Sequence, residues 1–131
     1  MDGSEKGGNG KVGAVAVLGA GIAGMQASLD LAESGFKVYL VERAAGIGGH
    51  MAQLDKTFPT NDCAMCTISP RLVECDKHPN VEIITNTELM SAAGEAGDFK
   101  LNLLKHPTFV DPVKCNACGD CEAVCPVQLP D

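Results

Sequence analysis

The stretch KVGAVAVLGAGIAGMQASLDLAESGFKVYLVE, Lys11 to Glu42, leaves few folds open. Its first part is a nearly continuous apolar run that ends in glycines, which predicts a strand buried on both faces. IAGMQASLDLAESG has helical composition, with the small residues Gly24 and Ala27 near its start and Gly35 placed to end it. FKVYLVE reads as a second strand. Strand, helix and strand within about thirty residues make a βαβ unit with a right-handed crossover. The fold class expected is therefore α/β, built on a Rossmann-type half-domain.

Gly19, Gly21 and Gly24 form G-x-G-x-x-G where the strand turns into the helix. The first glycine permits the tight turn, the second lets a pyrophosphate approach the backbone, and the third lets helix and strand meet closely. Ile22 and Ala23 lie at the start of the helix, whose N–H groups and partial positive charge suit phosphates. Glu42, eighteen residues beyond Gly24, can accept hydrogen bonds from an adenosine ribose and disfavours a 2′-phosphate, with Arg43 beside it. Glycines that serve packing alone are the competing reading. Gly48 and Gly49, followed by His50, are similar to the extended fingerprint of FAD-binding two-dinucleotide flavoproteins, which favours FAD over NAD.

Regularity falls away after Glu42, and the stretch up to Asn80, with Pro59 and Pro70, is expected to be a long functional loop holding one short helix at most. VEIIT is a strand. FKLNLL alternates Phe99, Leu101 and Leu103 on one face, as a half-buried antiparallel strand does, and TFV (108–110) is placed to return beside it. Asp111 and Pro112 mark a boundary. The expected organisation is a disordered lead-in over 1–11, a partial FAD-binding domain over 12–110 and a cysteine-rich tail over 111–131.

A formal charge of −7 argues against nucleic acid or an anionic membrane surface as partner. There is no apolar run of membrane-spanning length and no signal-peptide pattern, so a cytoplasmic protein is expected. Seven cysteines in that setting point to metal or redox chemistry rather than disulfides. Cys115-x2-Cys118-x2-Cys121-x3-Cys125-Pro126 is the bacterial ferredoxin run for a [4Fe–4S] cluster; zinc sites usually pair two separated C-x2-C steps. In two-cluster ferredoxins the fourth cysteine serves the other cluster, so the run reads as half a module. Cys63, Cys66 and Cys75 admit three readings: part of a further cluster, a thiol–disulfide pair at Cys63 and Cys66, or small buried residues. His78 and His106 each precede a proline and read as turn residues.

VLGAGIAGMQASLDLAESGFKVYLVERAAGIGGHMAQLDKTFPTNDCAMC, with HPNVEIIT and CNACGDCEAVCPV after it, resembles the A-type iron–sulfur flavoprotein of heterodisulfide reductase and its bacterial relatives. The resemblance runs from Val12 to the C-terminus. It implies a thioredoxin-reductase-like FAD domain into which a two-cluster ferredoxin module is inserted, the flavin lying on an electron path. It implies further subunits and a ferredoxin, hydrogenase or dehydrogenase donor as partners. Carried over, Gly19, Gly21, Gly24 and Glu42 match the FAD fingerprint, Cys115, Cys118, Cys121 and Cys125 the first ferredoxin half, and Cys63 and Cys66 an element that helps bind an additional cluster. The second ferredoxin motif and the rest of the FAD domain are missing, so the tail is expected to open an insertion in a longer polypeptide. The function expected is electron transfer between FAD and [4Fe–4S] clusters. The rivals are a disulfide reductase using Cys63 and Cys66, and a non-enzymatic cluster carrier.

Overall fold

Val38 and Leu40 are fully buried and mark the middle of a parallel sheet. In the computed structural model, which describes residues 13–111 and 113–127, the chain runs β1 (Ala14–Leu18), α1 (Ile22–Glu33), β2 (Lys37–Val41), a 3₁₀ turn (Gly49–Gln53), β3 (Lys56–Thr57), β4 (Asp62–Cys63), α2 (Ala64–Lys77), β5 (Val81–Ile84), β6 (Thr87–Glu95), β7 (Asp98–Lys105) and α3 (Asp120–Ala123). The expected lead-in over 1–11 and the boundary residue Pro112 lie outside the described residues. The sheet order is β1-β2-β5, with both pairs parallel. The register aligns Val15, Val38 and Val81, then Val17, Leu40 and Ile83 two residues on, so these six share one face.

That face meets both long helices. Met25, Ser28, Leu29 and Ala32 recur at helical spacing and form the buried side of α1, while α2 contributes Ala64, Ile68 and Cys75. Ser28 is satisfied in the core by donating its hydroxyl to the Gly24 carbonyl at 2.8 Å. Gly35, at φ +91°, ends α1 as expected: its N–H reaches the Ala32 carbonyl at 3.0 Å and the Phe36 N–H reaches Leu31 at 3.1 Å, which is the Schellman pattern.

Three expectations are corrected. First, β1 is not buried on both faces. It lies at the sheet edge, and Ala14, Ala16 and Leu18, on the face away from the helices, are exposed. Second, the region after Glu42 holds a fourteen-residue helix rather than one short helix at most. Pro70 has no N–H to offer the Cys66 carbonyl, but Ile68, Leu72 and Cys75 bury against the core, and that burial carries the helix through the proline. Third, TFV does not return beside β7. The partner is β6, pairing Leu89 with Leu103 and Ala92 with Leu101, with a register shift between Leu89 and Ser91. On β7 only Leu101 is partly covered, and Phe99 is 62% exposed, so the expected half-burial of that strand is confined to one residue.

Removing the α2 contact should be costly. Ile68→Ala is expected to lower unfolding stability by about 2–5 kcal/mol in urea titration, against roughly 0.5 kcal/mol for Val73→Ala on the open side of the same helix. Equal effects would mean that α2 does not carry the core.

Candidate functional site

The three glycines of the β1–α1 turn are required for three different reasons. Gly19 has φ +97°, a left-handed conformation that side chains resist, and its N–H donates to the Val41 carbonyl at 2.8 Å. A Cβ on Gly24 would overlap the Gly19 carbonyl oxygen, so close helix–strand approach demands glycine there. Gly21 is different. Its φ of −74° and ψ of −178° suit any residue, and a Cβ there would meet nothing within 4 Å. Neither backbone conformation nor packing within the chain calls for a glycine here. The N–H groups of Ile22, Ala23 and Gly24 open the helix beside it, and the Ile22 and Ala23 side chains are exposed.

The second glycine pair is joined to the first turn. Gly48, at φ +115°, donates its N–H to the Ala20 carbonyl at 2.7 Å, and a Cβ on Gly49 would come within 2.9 Å of the Gly21 Cα. His50 is exposed in the 3₁₀ turn that follows.

Glu42 closes the arrangement. One carboxylate oxygen accepts the Ala20 N–H at 2.7 Å and the other the Ala44 N–H at 2.8 Å. Partial burial pushes its carboxyl up, but the N–H groups of Ala44, Ala20 and Arg43, with the Arg43 charge, outweigh this and hold it below its ordinary value. A carboxylate has about four lone-pair sites, so ribose hydroxyls can still be accepted alongside the two backbone bonds. Beside it lies a cleft of about 390 Å³ at the C-terminal ends of β1 and β2, lined among others by Leu18, Gly19, Glu42, Arg43 and Thr87. Thr87 to Leu89 were not among the sequence candidates, because their place in the cleft comes from the Thr87 N–H bonding the Glu42 carbonyl at 2.9 Å, a contact with no motif behind it.

Cys63 and Cys66 come together at the start of α2, where the Cys63 sulfur accepts the Cys66 N–H at 3.2 Å and both side chains are exposed. Cys75 does not join them. It lies nine residues beyond Cys66, two and a half helical turns, which places it on the opposite face. There it is fully buried, its thiol pointing to the Met25 carbonyl at 3.6 Å, and burial pushes that thiol up. Of the three readings open to Cys75, this position is that of a small buried residue, away from Cys63 and Cys66. His78 accepts the Asn80 N–H on Nδ1 at 3.1 Å, holding the turn into β5.

Cys115, Cys118, Cys121 and Cys125 are all exposed, and the chain between them bends at Ala117 (φ +58°) and Gly119 (φ +85°). Free thiols on short, sharply turned backbone suit ligands of [4Fe–4S] clusters by donor chemistry, three for one cluster and the fourth for another. Among the described residues, no three or more His, Cys, Asp or Glu are gathered closely enough to hold a metal ion, and no helix is long and apolar enough to cross a membrane.

Comparison with known proteins agrees with this geometry. The profile of the NAD(P)-binding Rossmann-like domain matches residues 17–83 and that of a 4Fe-4S binding domain matches residues 109–130. The chain is 49% identical over 115 residues to an A-type iron-sulfur subunit of CoB–CoM heterodisulfide reductase from Methanopyrus kandleri, covering 88% of this chain and 18% of that protein. It is 51% identical over 119 residues to a protein from Archaeoglobus profundus described as like the A-type subunit of heterodisulfide reductase, covering 89% of this chain and 17% of that protein. It therefore spans less than a fifth of the length of these relatives. In fold it is similar to L-proline dehydrogenase from P. horikoshii, with TM-score 0.58 and 21% identity, covering 73% of this chain and 20% of that one. The parallel sheet, the glycine turn and the profile match over half of its residues make this chain a member of the NAD(P)-binding Rossmann-like domain family.

Proposed function

We propose that this chain forms the dinucleotide-binding and first cluster-binding part of an electron-transfer oxidoreductase of heterodisulfide reductase type, passing electrons between FAD and [4Fe–4S] clusters. The observation that carries the reading is Gly21, a glycine that neither backbone conformation nor packing requires, set where a pyrophosphate would meet the start of α1. FAD, when bound, supplies the flavin redox chemistry. The chain's own residues bind and orient it. The Ile22, Ala23 and Gly24 N–H groups receive phosphate oxygens, Glu42 accepts ribose hydroxyls and repels a 2′-phosphate, and Arg43, Gly48, Gly49 and His50 border the site. Residues 12–110 act as the dinucleotide unit and 111–131 as the cluster unit, with Cys115, Cys118 and Cys121 holding one cluster and Cys125 serving another. The names of the relatives, subunits of heterodisulfide and ferredoxin reductases, support partner subunits; a ferredoxin, hydrogenase or dehydrogenase donor and a cytoplasmic setting complete the proposal. Gly21→Leu tests the dinucleotide site. It should leave the melting temperature near that of the parent, since a Cβ at this position meets no protein atom within 4 Å, and weaken FAD binding by more than about 10-fold. Unchanged affinity would contradict the reading.

A second reading has one observation in its favour. The Cys66 thiol and N–H both bond the Cys63 sulfur and hold the Cys63 thiol below its ordinary value, while the same contact pushes Cys66 up, as in an exchanging dithiol. In iron-free folded chain at neutral pH, iodoacetamide should label Cys63 before Cys66, and Cys75 only after unfolding. Under iron–sulfide reconstitution, Cys63→Ser/Cys66→Ser should lower bound iron if these residues help hold a cluster. Undiminished iron, together with a reversible Cys63–Cys66 disulfide, would favour thiol exchange.

A further inference from the structure

Ala20 stands between the two glycine turns and is held on both sides. Its N–H donates to Glu42 Oε2 at 2.7 Å, and its carbonyl accepts the Gly48 N–H at 2.7 Å. Ala20 is fully buried, so without the carboxylate its N–H would be an orphan donor. The other Glu42 oxygen holds Ala44, at the start of the connection that leads to Gly48. The Glu42 backbone is fixed as well: its N–H bonds the Ile84 carbonyl at 2.8 Å, and its carbonyl accepts the Thr87 N–H at 2.9 Å. The carboxylate is thus delivered from a rigid strand end to two different loops.

We propose that Glu42 is a positioning residue that sets the geometry of both glycine turns, in addition to any contact with a ribose. Resting on the dinucleotide reading above, this deepens it. A residue that only meets the ribose is worth nothing to a ligand lacking the hydroxyl it holds. A residue that shapes the turn matters to the pyrophosphate whichever sugar is attached. Glu42→Gln keeps the size but replaces one acceptor oxygen with an NH₂, which opposes an N–H it should receive. The loss expected is on the order of 10-fold in affinity, the scale of a charge-assisted hydrogen bond.

The test compares ADP with 2′,3′-dideoxy-ADP, which lacks both ribose hydroxyls, on the full chain and on Glu42→Gln, with amide hydrogen exchange followed by NMR. Positioning predicts a similar loss for both nucleotides and faster exchange at Ala20, Ala44 and Gly48, at a temperature where both proteins are folded. A loss confined to ADP, or unchanged exchange at those three amides, overturns it. If the parent chain binds neither nucleotide, the dinucleotide reading fails, and exchange alone decides whether Glu42 holds the turns. If Glu42→Gln does not fold, exchange in the parent decides: Ala20 and Ala44 amides that exchange at the free-peptide rate overturn the proposal, and protected ones support it.

Discussion

The α1 helix can meet β1 as it does only because Gly24 carries no Cβ, which would overlap the Gly19 carbonyl oxygen. From that contact the rest of the site follows. With the helix start drawn down onto the strand end, Ala20 is buried between them and must find partners for its backbone groups. Glu42 provides one from just past the end of β2 and Gly48 the other from the connection after it. The second glycine turn then lies against the first, close enough that Gly49 also admits no side chain facing Gly21. Gly21 keeps open space above it without needing a left-handed backbone, at the end of a helix whose first N–H groups have no intrahelical acceptor. The corner proposed to bind phosphate is thus assembled by backbone packing and hydrogen bonds within the chain.

The two candidate sites differ in how far the protein builds them unaided. The glycine corner is anchored in a sheet and hydrogen-bonded from three directions. The ferredoxin run has no buried residue between Cys115 and Val127, and its four thiols are free and exposed. Short cysteine-rich segments of this kind gain their fold from the metal, because ligation energy stands in for a hydrophobic core. The proposed electron path needs both: a rigid seat that fixes the dinucleotide, and thiolates that close around a cluster.

The first βαβ unit was legible in the sequence because its signals are local: a glycine-ended apolar run, a helical stretch stopped by Gly35, and an acid at the end of the next strand. What sequence reading misjudged depends on distant contacts. Pro59 and Pro70 argued against a long helix, yet burial of Ile68 and Cys75 against α1 overrides the proline. The sequence left Cys75 open between cluster ligand and small buried residue, because spacing along the chain does not say which helical face a residue occupies. β6 was missed because TELMSAAGE alternates poorly, and only its pairing with β7 makes it a strand. The ribose reading of Glu42 came from its position after β2, but that position does not reveal that both oxygens already hold backbone N–H groups.

The measurement that bears most directly on the whole account is anaerobic reconstitution of the chain with iron, sulfide and FAD, followed by gel filtration and quantitation of iron and flavin in the protein peak. The account predicts flavin retained at one per chain together with about four irons, since the glycine corner is preformed and the cysteine run can close on a cluster. Iron retained without flavin would contradict it, because a corner built as described should hold the dinucleotide whether or not the cluster is present.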